Sequence, residues 1–416
     1  MPYAFAGYAF GPESGLRWAG QDIPLPPKER ELLHFLLLAG GKVVAKDAVV
    51  NAVWHGGIAS DESISRAVYR LRLAMQAAGG PPVVTTVYNG GFRISAPIVL
   101  RAGPATGAWL LVQSGREFAA RLTAPDIAIA LEAAHCAAAL DPASIAAWIA
   151  IAEFHVLQIM RALVPARHTG QQACAAAARA LALEPACARA LAARGWVRAL
   201  VEGALQSGLA DLDQALALDP RRAGIPLLRA GVLQAIGRTA DAVEMAGCSQ
   251  RLNPFNLFAV AALPRYLMYV GRTADALDEA RAQVQRFPGL DGVHEILSVL
   301  LSAGGRLDEA LRHARQAVLL GQGAPLLLGQ LAYVLARMRR TDEVHEVMQR
   351  LNEQPQPLPF ACVAAIQWAQ GERRLALQSL QTAKALGLPQ FFSMRDDPRL
   401  SGCAADPEIG KLWRQV

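Results

Sequence analysis

The sequence predicts a mainly α chain in two parts: a small N-terminal α/β domain with the element order of a winged helix-turn-helix, then an α-solenoid of helix pairs. Three observations carry that prediction. β-branched residues bracket Asn89-Gly90-Gly91, the composition of a hairpin. Ahead of it, Ile64, Val68, Leu71 and Met75 recur at steps of four, three and four, which makes one apolar stripe on a helix. Further on, proline, glycine and alanine return every 34 residues, as in a repeated helical unit.

Composition agrees. A chain of 416 residues exceeds what one core usually organises. Hydrophobic content of 53% with 6% aromatics points to Ala- and Leu-rich packed helices. The net charge of +6 tolerates a polyanionic partner without demanding one. No charged-then-apolar leader opens the chain, and even the greasy 257–271 stretch carries Pro264 and Arg265. The expectation is a cytoplasmic protein, neither secreted nor inserted in a membrane. Cys136, Cys174, Cys187, Cys248, Cys362 and Cys403 form no Cys-x-x-Cys pair, so reduced thiols and no zinc site are expected.

In chain order, Tyr3, Phe5, Tyr8 and Phe10, then Leu16-Arg17-Trp18, then Ile23 and Leu25 read as short antiparallel strands, with turns at Gly11-Pro12 and Gly20-Gln21. Pro26-Pro27-Lys28-Glu29 opens a first helix, with proline and carboxylate where a helix start favours them. Leu32, Leu33, Leu36 and Leu37 give its buried face, and Gly40-Gly41 ends it. Val43-Val44 leads to a second helix near Lys46–Trp54. The loop 55–59 leads to a third over 61–78, capped by Ser60 or Asp61 and stopped by Gly79-Gly80-Pro81-Pro82. Arg66 falls nearly opposite the apolar stripe of that third helix, with Tyr69 and Arg70 flanking the stripe. The closing hairpin runs from Val83 to Ser95.

Pro27-x-Glu29-x-x-Leu32-Leu33, Gly41-x-Val43-Val44, Ala52-Val53-Trp54, Ile64-x-x-x-Val68-x-x-Leu71-Arg72 and Thr86-Val87-x-x-x-Gly91-Phe92-Arg93 stand in one register over residues 1–98. This resembles the OmpR/PhoB-type DNA-binding domains. The resemblance implies that the third helix enters the major groove and the hairpin wing reaches a neighbouring groove or backbone. Arg66 and Arg70 would face the bases, where a guanidinium fork can bond guanine O6 and N7 together; one turn separates them, ~6 Å along the axis. Ser63, Ser65 and Tyr69 become candidate phosphate or base-edge contacts. Arg72 divides evenly between structure and phosphate. Thr86 and Arg93 on the wing are candidate backbone contacts, and Lys46 completes the set. Two positions depart from the family pattern. Tyr88-Asn89-Gly90 stands at the wing tip where many relatives carry a basic residue, and Ala45 stands where Ser or Thr would cap a helix, at a cost of ~1 kcal/mol.

A small-residue linker over 99–107 follows, and no receiver domain is expected ahead of the winged helix, so the phosphoryl input common in OmpR-type regulators is not expected either. Over 108–416, Pro220, Pro254 and Pro288 are spaced by 34, as are Pro355 and Pro389. Gly203, Gly237, Gly271 and Gly305 share that spacing and Arg339 continues it; Ala242, Ala276, Ala310 and Val344 follow five residues later. A glycine to turn, a small residue where helices touch and a proline to stop them resemble tetratricopeptide repeats. About eight pairs are expected. The gap of 43 between Pro142 and Pro185 implies a longer helix or loop near Val164–Gly170. The stretch Phe391–Pro398 breaks the pattern as a cap.

The eight histidines form no His-Glu-x-x-His pair, and neither a phosphate-binding Gly-rich loop nor a Gly-x-Ser-x-Gly elbow occurs, so no enzyme activity and no cofactor is expected. A winged helix joined to such repeats resembles the HilA-type regulators. That implies a transcription factor on double-stranded promoter DNA, with the solenoid sensing a partner, contacting RNA polymerase or dimerising. Arg194, Arg198 and Arg229 are candidates to line a groove for an acidic protein or peptide, with a solvated face as the equal alternative. A reading of another class stays open: an interaction adaptor or sequestering scaffold whose winged helix does not read DNA.

Overall fold

The computed structural model describes residues 3–12, 14–54, 61–87, 90–100, 104–354 and 359–414. Two compact units divide it, Met1–Leu110 and Leu111–Val416.

In the first unit, β1 (Tyr3–Phe5), β2 (Tyr8–Gly11), β3 (Gly15–Trp18) and β4 (Gln21–Ile23) form an antiparallel meander. A turn not anticipated from the sequence, Ala6-Gly7 with φ of 47° and 86°, splits the opening aromatic stretch. It sends Tyr3, Phe5, Tyr8 and Phe10 to the same core. There follow α1 (Pro27–Leu38), α2 (Lys46–Val53), α3 (Asp61–Ala77), β5 (Val84–Val87), β6 (Gly91–Ile94) and β7 (Ile98–Leu100).

The expected linker is corrected at both ends. β7 pairs with β1 (Tyr3↔Leu100, Phe5↔Ile98), extending the sheet to the order β4-β3-β2-β1-β7. A strand of three residues whose partner lies some 95 residues earlier leaves no local signal. The next helix, α4 (Pro104–Ala119), also begins inside the expected linker. Its Trp109 packs edge-on to Tyr3 and His34, with centroids 6.2 and 4.6 Å apart.

β5 and β6 form the wing, and Val44, between α1 and α2, bridges to Phe92. The approach is close enough to require glycine next door: a Cβ on Gly91 would stand 1.9 Å from the Val44 carbonyl oxygen, and its φ is 118°. That is why the glycine of the Gly91-Phe92-Arg93 motif is there. Ala45 supplies no side-chain cap to α2, as its sequence implies. The loop 55–60, the capping side chain of Asp61 and Tyr88-Asn89 of the wing tip lie outside the described residues.

The second unit is the tetratricopeptide-like solenoid. After α4 come α5 (Ala124–Leu140), α6 (Ile145–Met160), α7 (Ala166–Leu183), α8 (Ala188–Leu200) and α9 (Leu205–Leu218). Next are α10 (Gly224–Ala235), α11 (Thr239–Leu252), α12 (Leu257–Tyr269), α13 (Thr273–Arg286), α14 (Asp291–Ala303) and α15 (Leu307–Leu320). The last pairs are α16 (Pro325–Arg337) with α17 (Thr341–Asn352) and α18 (Phe360–Ala369) with α19 (Arg373–Ala385). Among the described residues these make eight pairs. The 16 residues of α6 and 18 of α7, against 13 and 14 in α8 and α9, account for most of the longer spacing between Pro142 and Pro185.

The repeat markers have distinct physical jobs. Gly203, Gly237, Gly271 and Gly305 sit between the two helices of a pair at φ of 76–85°, and Arg339 takes that place at φ 58°. Ala242, Ala276 and Ala310 are fully buried where the helices of a pair touch. A further marker recurs at the same interval: Arg238–Asp241, Arg272–Asp275, Arg306–Glu309 and Arg340–Glu343 each tie the first turn of a second helix.

The first helices of successive pairs, from α6 to α18, pack on one another and form the inner layer. Across that layer returns the C-terminal cap: α20 (Gln390–Ser393), two 3-10 turns and α21 (Pro407–Arg414). Gln390 Nε2 donates to the Met160 carbonyl at 3.4 Å, Gln234 Nε2 to the Phe392 carbonyl at 3.3 Å, and Trp368 Nε1 to the Ser401 carbonyl at 3.0 Å. Arg161, just past α6, pairs with Asp291 at the start of α14.

Candidate nucleic-acid interface

α3 is amphipathic, and its burial follows the sequence stripe: Ile64, Val68, Leu71 and Met75 are 2% exposed or less, with Ala67 beside them. These anchor the helix on α1 and on the sheet core. Ser63, Ser65, Arg66, Tyr69 and Arg70 lie on the exposed side, and Tyr69 is 63% exposed. The helix is thus fixed by one flank and offers cations and hydroxyls from the other.

The candidate side chains differ in how they are held. Arg66 Nη2 donates to Glu62 Oε1 at 2.8 Å, with both side chains mostly exposed (62% and 79%). Such an i,i+4 pair is worth only tenths of a kcal/mol, so the guanidinium is readily exchanged to a stronger acceptor. Arg70 Nη1 stands 3.7 Å from Glu29 Oε1, and Glu29 is 4% exposed on α1. At that distance the contact orients the cation without a hydrogen bond. Glu29 is the residue that sequence reasoning undervalued. Its place in the motif pointed to a helix-start carboxylate, whereas its burial and its nearness to Arg70 depend on how α1 crosses α3.

Arg72 and Thr86 come together on the wing. Arg72 Nε donates to the Val84 carbonyl at 2.8 Å and Nη2 to Thr86 Oγ1 at 2.9 Å. The even choice left for Arg72 falls to structure, because it pins the wing to α3. Thr86 is its acceptor, and so is partly committed. Arg93 is exposed on β6 opposite Thr85. Lys46 is exposed on the first turn of α2. In the solenoid, Arg194 bonds Asp211 through two nitrogens at 2.9 and 2.8 Å, Arg198 reaches the same carboxylate at 3.1 Å, and Arg229 bonds Asp213 at 2.7 Å. The suggested basic groove is therefore corrected to a set of ion pairs with the neighbouring helix.

Among the described residues no group of acidic, histidine or cysteine side chains is arranged to hold a metal ion, and no helix is long and apolar enough to cross a membrane.

Known proteins divide along the same line as the two units. Residues 20–94 match the family described as "Transcriptional regulatory protein, C terminal". The chain is 29% identical over 103 residues to the transcriptional regulator HilA of Salmonella typhi, an alignment covering 25% of this chain and 19% of HilA. It is 32% identical over 93 residues to the phosphate regulon transcriptional regulatory protein PhoB of Klebsiella pneumoniae, covering 22% of this chain and 40% of PhoB. The chain thus spans about a fifth of HilA and two fifths of PhoB. The solved structure of the APC/C hetero-tetramer Cut9-Hcn1 shares a fold with 74% of this chain and 55% of its own, at a TM-score of 0.50 and 12% identity. With the winged-helix geometry and the repeat period, these likenesses show an OmpR/PhoB-type transcriptional regulatory domain at the N-terminus of this chain, carried ahead of a tetratricopeptide-like solenoid.

Proposed function

We propose that this chain is a cytoplasmic, sequence-specific transcriptional regulator that reads double-stranded promoter DNA through α3, with the solenoid as its sensing, dimerising or polymerase-contacting module. The observation that carries the reading is the exposure of Arg66 and Arg70 on a helix whose opposite flank is sealed in a core. A rigid helix with a cationic outer face suits the major groove, where arginine finds guanine. Ser63, Ser65 and Tyr69 surround the two arginines, Lys46 and Arg93 reach for phosphates, and the Arg72–Thr86 contact holds the wing at its angle. A single domain of this size binds weakly, so pairing through the solenoid on neighbouring sites would raise affinity.

The test is fluorescence anisotropy on genomic promoter fragments and on scrambled DNA across a salt series. Arg66→Ala and Arg70→Ala should each cost ~1–3 kcal/mol on the preferred site and little on scrambled DNA, while Arg93→Ala should weaken both alike. Affinity indifferent to salt and to the double alanine variant would sink the regulator and leave an interaction scaffold.

A further inference from the structure

Where the C-terminal cap crosses the inner layer of the solenoid it leaves a cavity of ≈ 280 Å³. That is room for a ligand of roughly ten non-hydrogen atoms. Its walls are aromatic to an unusual degree for a chain so poor in aromatics: Trp196, Phe258, Tyr266 and Tyr269 all line it.

Two hydrogen-bond donors meet there unused. Trp196 is 4% exposed, and its indole N–H, which can only donate, has no acceptor among the described residues. The Tyr266 hydroxyl has none either. Burial pushes its phenol well up, so it stays protonated and able to donate. Both point at one place. A methyl group built on Gly231 would lie 3.6 Å from Trp196 Nε1 and 3.7 Å from the Tyr266 oxygen, so the absence of a side chain at 231 keeps the space between them open. The indole N–H faces the cavity without an acceptor, and an incoming oxygen would supply one.

The charges around the cavity restrict what can enter. Arg161, Arg265 and Arg399 are each already ion-paired, with Asp291, Glu295 and Asp397 respectively, and Arg161 keeps only its Nε–H without an acceptor. An added charge would have to invade one of these pairs or stay unpaired in a poorly solvated site, and both are costly.

We propose that this cavity is a small-molecule site for an uncharged, planar aromatic or heteroaromatic compound bearing a carbonyl-type oxygen, which accepts hydrogen bonds from Trp196 and Tyr266. The site deepens the sensing role given to the solenoid above and rests on it for its regulatory meaning. Binding is measured without DNA, so its failure and the failure of DNA recognition are separate results.

The experiment is titration calorimetry of the full chain with benzamide, against benzoate (charged) and toluene (no acceptor). Benzamide should saturate with a dissociation constant of about 1 mM or tighter, and the other two should bind at least about tenfold more weakly. Tyr266→Phe, which removes one oxygen, should weaken benzamide about tenfold. Gly231→Leu should abolish binding with a thermal transition still present, and if that variant does not fold, Tyr266→Phe decides. Absence of saturable benzamide binding, equal binding of toluene, or unchanged affinity in Tyr266→Phe overturns the proposal.

Discussion

On α3, Arg66 and Arg70 leave 62% and 58% of their side chains in solvent, and the nearest carboxylates hold them loosely. In the solenoid, Arg399 is 7% exposed and donates to both oxygens of Asp397, to Gln330 Oε1 at 2.8 Å and toward Cys362. Burial alone would push the Asp397 carboxyl up, but the Arg399 charge outweighs it and holds the carboxyl below the usual carboxylate range. The same side chain is thus interchangeable surface chemistry in one unit and a structural part of the other. Environment, not residue type, separates an available arginine from a scaffold arginine.

The sharpest way to break that comparison is Arg399→Ala, which strands Asp397 without its partner. It should destabilise the solenoid by about 3–5 kcal/mol in urea unfolding, and the double variant Arg399→Met with Asp397→Leu should regain most of that. A loss under about 1 kcal/mol would make the pair as dispensable as the surface ones.

In the first unit a half-buried titrating group is His34, whose imidazole burial pushes down to about 4 against Tyr3, Phe10 and Trp109. The unfolded chain takes up that proton first, so the stabilisation is complete above about pH 6.5 and is lost as pH falls toward 4. Thermal melts over that range should show a decline of about 2 kcal/mol, allowing for the partial exposure of the ring. His34→Phe should flatten it; an unchanged slope would place the pH sensitivity elsewhere.

Arg339→Gly should stabilise by about 1 kcal/mol, since φ 58° strains any side chain and the equivalent residues of neighbouring repeats are glycine. The smallest effect is the most discriminating: Arg66→Ala and Arg70→Ala should each move the melting free energy by less than about 0.5 kcal/mol. A larger loss would mean that these arginines support the fold.

Much of this was legible in the sequence, because it is local and periodic. The stripe Ile64–Met75, the paired strands of the β5–β6 hairpin and the 34-residue spacing each follow from short-range geometry, and each appears where expected. Apart from the Ala6-Gly7 turn and the start of α4, the misses are long-range. β7 needs β1 to be a strand, Arg72 needs the wing to fold back beside it, and Glu29 needs α1 to bring a buried carboxylate near Arg70. Arg194 and Arg198 looked like free cations because Asp211 sits on the facing helix, one full turn of the hairpin away. A pattern reports which side of an element is wet; it does not report what the other element brings to that side.

The returning cap has a consequence for how the solenoid comes apart. An open array loses its last repeat without disturbing the first, because each repeat knows only its neighbours. Here Gln390 reaches Met160, and Arg167 Nε donates to the Ala385 carbonyl at 2.9 Å, across more than two hundred residues of chain. Cutting before Arg373, which removes both contacts, would therefore unlatch the beginning of the array along with its end, so in the whole chain early and late repeats should melt together rather than peel in sequence.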